Sequence, residues 1–206
     1  MPTPPRLILA SASPARLKTL QNAGLSPEVI VSGVDESTVA VTGPADYTMK
    51  LAQLKAVAVA ADQKRALVVG CDSVLALDGQ ALGKPHTAER ATRQWRAMRG
   101  RTGVLHTGHC LCRLDPAGEV VRQVATTVHF ADLDDEEIEA YVATAEPLEV
   151  AGAFTVDGLG GAFVRGIEGD HHNVVGISLP VLREMLAELG GRWTDLWQPP
   201  DSQGSQ

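Results

Sequence analysis

Four short stretches hold residue types that can do chemistry. The apolar run Ala66–Val69, "ALVV", leads directly into Gly70-Cys71-Asp72-Ser73. Ligands of open α/β sheets bind at the carboxyl edge of such strands, and a carboxylate placed there can hold a metal or polarise water. The competing reading of Asp72 is a turn cap assisted by Ser73. Lys84 lies in "LGKP", Leu82 to Pro85. Gly83 permits close backbone approach, Pro85 drives the lysine toward extended geometry, and a lysine so presented can meet phosphate as a point charge. Asp35-Glu36 close the stretch "EVIVSGVDE" at a turn. Paired acids beside a polyphosphate can hold Mg²⁺ or Mn²⁺ through oxygen ligands, although a solvated turn accounts for them equally simply. Finally, in "LASASPAR", Ser13 suits an N-cap and Pro14 the first helical position, which leaves Arg16 in the first turn. A helix N-terminus favours acids over bases, so a cation there points to an anion shared by Arg16 and the free N–H groups.

These residues need a frame. The pattern predicts strands at Leu7–Ala10, Glu28–Ser32 and Ala66–Val69, with helices at Pro14–Ala23, Asp46–Ala61 and Thr87–Met98. Gly24 stands where a helix C′ glycine belongs. In the second half, "GVLHTGHCLCRL" and "VVRQVATTVHFADL" flank Asp115-Pro116-Ala117-Gly118, a hairpin signal. Asp134 caps a helix running to Ala145, glycine-punctuated strands occupy Ala151–Glu168, and "LPVLREMLAELG" is a C-terminal helix. Alternating strands and helices followed by hairpins predict an α/β protein with a mixed sheet and helices on both faces. Residues 1–194 read as one domain, and 195–206 as a polar tail expected to be disordered.

Composition narrows the functional classes. The 206 residues suffice for a substantial core, and 44% are hydrophobic. A net charge of −7 argues against general nucleic-acid binding but leaves room for a small phosphorylated ligand. No window approaches the roughly 18 apolar residues of a membrane span, and the apolar run near the N-terminus is too short for a signal peptide, so a cytoplasmic protein is expected. Cys71, Cys110 and Cys112 form no disulfide framework. Cys110 and Cys112 would point to one strand face, but zinc would need further ligands nearby, so buried thiols are the expectation. Arg90, Arg93, Arg96, Arg99 and Arg101 read as a solvated helix face, and the acids from Asp132 to Glu139 as capping and solubility. His171 and His172, read as strand neighbours, would face opposite ways and could not ligate together. Gly158–Gly161 is a turn, since it lacks the Gly-Lys-Ser/Thr ending of a phosphate loop.

Taken in order from Leu7 to about Gly190, the pieces resemble the Maf family of nucleoside triphosphate pyrophosphatases. The family's opening S-x-S-P-R-R is matched by "SASPAR", its V-D-E by Val34-Asp35-Glu36, and its L-A-x-x-K-A by Leu51 to Ala56 with Lys55. A-D-T/S corresponds to Cys71-Asp72-Ser73, and L-G-K-P to Leu82–Pro85. Further on, "EPLEVAGAFTVDG" and "GDHHNVVGISLP" parallel E-P-x-D-K-A-G-A-Y-x-I-Q-G and G-D-Y-x-N-V-V-G-L-P. The form of these motifs is similar to the version found in actinobacteria. Each is weak singly; their order and spacing are specific.

The resemblance implies an elongated, twisted, mixed sheet with two lobes and a central cleft, as in Maf and ITPase-like proteins. It also implies hydrolysis of a canonical or modified nucleoside triphosphate to monophosphate and pyrophosphate with Mg²⁺ or Mn²⁺, and often a homodimer. A link of family members with nucleotide-pool sanitising and cell-division arrest goes with it. Carried over residue by residue, Asp72 is the proton acceptor, and Glu36 and Asp72 meet the cation. Arg16, Lys55 and Lys84, with the hydroxyls of Ser11 and Ser13, meet the phosphates. Ala15, Ser73 and Asp157 bear on base choice; Ala15 and Asp157 depart from the family's arginine and glutamine, as Val150 and Phe154 depart from its lysine and tyrosine. Two rivals stand beside this reading. One is a nucleotide-binding regulator of septum formation without turnover, against which the intact Asp72, Glu36 and Lys84 count. The other is a phosphatase with an Asp nucleophile, which usually needs a second Asp two residues on, where this chain has Val74.

Overall fold

The computed structural model describes residues 5–36, 39 and 43–197. Strand β1 (Arg6–Leu9) leads to helix α1 (Pro14–Asn22), edge strand β2 (Glu28–Val29) and the long helix α2 (Pro44–Ala60). Then follow β3 (Ala66–Leu77), β4 (Gln80–Leu82), α3 (Ala88–Met98), β5 (Thr102–Leu114) and β6 (Ala117–Phe130). The chain continues with α4 (Asp135–Ala143), β7 (Val164–Glu168), α5 (His171–Val175) and α6 (Leu179–Glu188). The sheet is mixed, in the order β2-β1-β3-β5-β6-β7, with β4 pairing the end of β3. β1 pairs parallel with β2 and β3, whereas β3, β5, β6 and β7 are mutually antiparallel.

Local chemistry accounts for the elements. Ser13 caps α1 by accepting the Arg16 N–H at 3.4 Å, Pro14 fits its first turn, and Gly24 leaves it with φ +81°. Asp134 and Glu137 form a capping box on α4. α1 and α6 cover one face of β1, β3 and β5 through Leu20, Leu182, Met185 and Leu186, packed on Leu9, Val69 and Leu111. α2 covers the opposite face with Ala52, Ala56 and Val59 against Ile8, Val68 and Cys110. Farther along the same strands, a third core gathers Leu75, Trp95, Met98, Phe130, Ile138 and Tyr141 under α3 and α4. Trp95 meets Phe130, Tyr141 and Phe163 edge-on. Helices therefore do flank both sheet faces, and the cores fall into two groups along β3.

Several expected boundaries shift. β2 spans two residues rather than Glu28–Ser32; Ile30 N–H still donates to the Leu9 carbonyl at 3.1 Å, but Val31 beyond it is 62% exposed and the ladder ends. β3 does not stop at Val69: parallel pairing to β1 ends there, but antiparallel pairing to β5 continues through Ala76. Ala151–Glu168 is not a set of strands. It holds two short 3₁₀ turns, Ala151–Ala153 and Leu159–Phe163, and one strand, because Gly152 takes φ +71° and Glu146 accepts local amides in place of a ladder. His171 and His172 begin α5, capped by Asp170, rather than lying on a strand. At the C-terminal side, Leu196 is buried and Trp197 donates its indole N–H to the Ala23 carbonyl at 3.1 Å. That much of the expected tail is packed, and residues 198–206 lie outside the described residues. No helix among the described residues is long and apolar enough to cross a membrane.

Candidate active site

Asp72 sits at the seam between the two groups of cores, three residues past the last β1 pairing partner and three before Leu75. β1 turns away into α1 here, so the strand's flank opens although β3 itself continues. This gap stands in for the strand end that the sequence suggested.

α2 closes the other side. It lies so near the sheet that a Cβ on Gly70 would fall 2.3 Å from the Ala52 carbonyl oxygen, and one on Gly108 2.1 Å from that of Thr48. Only glycine allows this approach. The result is that Lys55, on α2, delivers Nζ to Asp72 Oδ1 at 2.6 Å and to Glu36 Oε1 at 2.7 Å. Asp72 and Lys55 are mostly buried, whereas Glu36 is half exposed. Burial pushes the Asp72 carboxyl above its ordinary range, against the pull of the Lys55 and Arg16 cations.

Arg16 is built into the wall between β3 and α5. Its Nε donates to the Gly176 carbonyl at 2.8 Å, Nη1 to Ser11 Oγ at 3.1 Å and the Cys71 carbonyl at 2.9 Å, and Nη2 to Ser73 Oγ at 3.0 Å. None of these acceptors is a carboxylate, so the guanidinium charge is not cancelled by its own contacts. Gly176 carries φ +114°, and a Cβ there would lie 3.1 Å from Arg16 Nε. The chain thus spends a second close approach on seating this cation. Ser11 Oγ also accepts the Ser13 N–H at 3.2 Å, and Ser73 shares a hydrogen bond with Thr107 at 3.0 Å.

The structure therefore brings together two bonded sets, Ser11–Ser13–Arg16–Ser73 and Glu36–Lys55–Asp72, side by side where Asp72 and Ser73 adjoin on β3. Lys84, Ala15 and Asp157 are not bonded into either. Lys84 is exposed on a loop pinned by Gly152 N–H to Gly83 O at 3.3 Å and His86 N–H to Leu148 O at 2.9 Å. Ala15 is half buried in the first turn of α1, and Asp157 is exposed ahead of the Leu159–Phe163 turn.

Three contributors were invisible in the residue pattern. Tyr47 on α2 lies near the acids, and burial followed by the charges of Asp72 and Glu36 raises its phenol. Thr107 ties Ser73 to the Asn173 carbonyl, to which it donates at 3.2 Å. Buried His109 accepts the Ser178 N–H at 2.8 Å, and burial, then Arg16, lowers its imidazole to about 4. A nearby cue existed: "GDHHNVVG" was already part of the family pattern, and it supplies Asn173 and Gly176.

A family model described as Maf-like protein matches residues 6–189. A protein of Streptomyces coelicolor named nucleoside triphosphate pyrophosphatase is 56% identical, covering 95% of this chain and 96% of its own. One of the same name from Nostoc punctiforme is 48% identical over 94% of this chain and 98% of its own. Among solved structures, the Ham1 protein of Staphylococcus aureus overlaps 62% of this chain and 72% of its own at 17% identity and TM-score 0.42, too distant to bear on function.

Proposed function

The chain belongs to the Maf-like family, and from that premise we propose that it is a nucleoside triphosphate pyrophosphatase. Water attacks the α-phosphorus, the α–β anhydride bond breaks, and nucleoside monophosphate and pyrophosphate leave. The observation that carries this reading is the shared ammonium of Lys55, held 2.6 Å from Asp72 and 2.7 Å from Glu36 beside the unneutralised Arg16. A carboxylate that must act next to a polyanion needs such cations.

Asp72 orients the attacking water and takes its proton. Its raised pKa makes it a better base at neutral pH than an ordinary aspartate of pKa near 3.9. Arg16 has four of its five N–H groups engaged internally, so it offers the phosphates its charge and one remaining donor. Lys84, exposed on its pinned loop, supplies the mobile cation. Ser11, Ser13 and the free N–H groups of α1 add neutral donors. Ala15, Ser73 and Asp157 face the choice of base.

Glu36 and Asp72 fit a hard divalent cation such as Mg²⁺ or Mn²⁺: both offer carboxylate oxygens, and a positive charge already bridges them. When bound there, such a cation neutralises phosphate charge and acidifies water. A cytoplasmic, homodimeric enzyme completes the proposal; sedimentation and cell fractionation check those two features.

The decisive experiment incubates the purified protein with canonical and modified triphosphates plus Mg²⁺ or Mn²⁺. Pyrophosphate and monophosphate in equal amounts are expected. Release of single phosphates, or nucleotide binding with no turnover on any substrate, overturns the proposal.

A further inference from the structure

The sheet face beneath α2 holds a cluster for which the proposed reaction has no use. Cys110 and Cys112 stand two residues apart on β5 and therefore share that face, and Glu119 on β6 is the direct cross-strand partner of Cys112. The two Sγ atoms lie 3.8 Å apart, and Cys112 Sγ is 3.8 Å from Glu119 Oε2. All three donor atoms fall within 4.8 Å of one another. Both thiols are buried and free, whereas Glu119 is exposed. Gln53 on α2 donates to Glu119 Oε1 at 2.7 Å, which fixes the carboxylate and leaves Oε2 turned to the sulfurs.

The sulfur–sulfur separation is that of a tetrahedral centre, and the carboxylate needs only a small side-chain shift to reach it. Zn–S bonds near 2.3 Å and a Zn–O bond near 2.0 Å, at tetrahedral angles, put two sulfurs about 3.8 Å apart and sulfur about 3.5 Å from oxygen. Two soft sulfurs select Zn²⁺ over Mg²⁺, and a hydrogen-bonded ligating carboxylate is the usual outer-sphere arrangement. The sequence offered only the two cysteines; the missing ligand comes from the neighbouring strand of the hairpin.

We propose that Cys110, Cys112 and Glu119 form a Zn²⁺ site, with water completing the tetrahedron from the exposed Glu119 side. On binding, each thiol releases its proton to solvent and each sulfur donates an electron pair to the metal, so no oxidant or reductant takes part. The site is chemically distinct from the all-oxygen pair Glu36–Asp72.

The test adds Co²⁺ to the reduced full-length protein in excess Mg²⁺, then Zn²⁺. A thiolate-to-cobalt charge-transfer absorption saturating at one equivalent and displaced by Zn²⁺ is expected. Cys112→Ser abolishes it, Glu119→Gln weakens Co²⁺ binding at least tenfold, and Gln53→Ala weakens it by about tenfold. Cys71→Ala leaves it intact, since Cys71 belongs to the core on the opposite face. Absence of the band in native protein overturns the proposal, as does a Glu119→Gln band with unchanged affinity. So does a thiol count of one instead of three once the metal-treated protein is denatured in excess chelator, which would mark a Cys110–Cys112 disulfide.

Discussion

The two ends of β3 are surrounded by different kinds of structure. Up to Asp72, the strand is sealed between α1 and α6 on one face and α2 on the other, and the charged groups are fixed by short bonds to neighbours. Past Leu75, the core under α3 and α4 is bordered by segments outside the sheet ladder: the Lys84 segment, the 3₁₀ turns and exposed Asp157. On the proposed roles, the difference sets the reacting carboxylate and its cations apart from the exposed Asp157 assigned to substrate choice. Most phosphate-holding groups are then preorganised at the sealed end, Lys84 and the base-facing Asp157 lie on exposed loops, and Ala15 and Ser73 share the sealed end.

The largest expected effect falls on the sealed side. Asp72→Asn keeps the shape and leaves Lys55 paired with Glu36, so the protein stays folded while kcat drops by about three orders of magnitude. In the unaltered enzyme, raising the carboxyl pKa means that activity is lost on acidification at a higher pH than about 4, where a free aspartate would titrate. A kcat/KM profile with its acid limb at or below that value would remove Asp72 as the base.

The second prediction concerns stability on the same side. His109 is fully buried, with its pKa lowered to about 4 against about 6.5 for a free histidine. Between those values the unfolded chain binds the extra proton, so the stabilisation is complete above pH 6.5 and fades as pH falls toward 4. The shift corresponds to about 3 kcal/mol. Denaturant unfolding across that range should show the slope, and His109→Gln should flatten it. An unchanged slope in the variant would assign the effect to another group.

Much of this contrast was legible in the sequence. Strand and helix periodicity placed α1, α2, α3, α4 and α6, and turn chemistry placed the hairpin at Asp115–Gly118. The residues of the sealed group were named because each sits in a short motif with its own chemistry or family match. Their mutual bonding was not legible, since Lys55 meets Asp72 only because Gly70 and Gly108 let α2 settle onto the sheet. Likewise β3 reads as ending at Val69, because Gly70 and the polar Asp72 and Ser73 interrupt its apolar run; pairing with β5, far along the chain, carries it on. The 150s defeated periodicity for a different reason: their amides are satisfied by one side chain instead of a strand.

That side chain is Glu146, the tie that orders the segments outside the sheet ladder. Its carboxylate accepts from the Tyr141 hydroxyl at 3.0 Å, the Thr155 hydroxyl at 2.5 Å, and the Leu159 and Gly160 N–H groups at 3.0 Å each. Burial would raise its pKa, but these bonds outweigh it and hold the carboxyl below its usual value. Glu146→Gln turns an acceptor into a donor facing donors. KM should rise by about tenfold with a smaller change in kcat, and limited proteolysis should begin cutting near Asp157. Equal losses in kcat and kcat/KM would mean that Glu146 serves the chemical step rather than the substrate-sorting loop.

The smallest effect should come from the sorting residues themselves. Ala15 and Asp157 touch none of the Lys55–Asp72 bonds, so altering them should leave folding and the reaction products unchanged. On the proposal that these positions face the base, Ala15→Arg and Asp157→Gln each add donors to it, and one hydrogen bond is worth about 1 kcal/mol, or roughly fivefold in kcat/KM. The expected signature is therefore a reordering of the triphosphate panel: some substrates gain severalfold, others lose, and the Asp72 acid limb stays in place. A uniform change across every base would give these two residues a part in holding phosphate, and the division between holding phosphate and choosing base would fail.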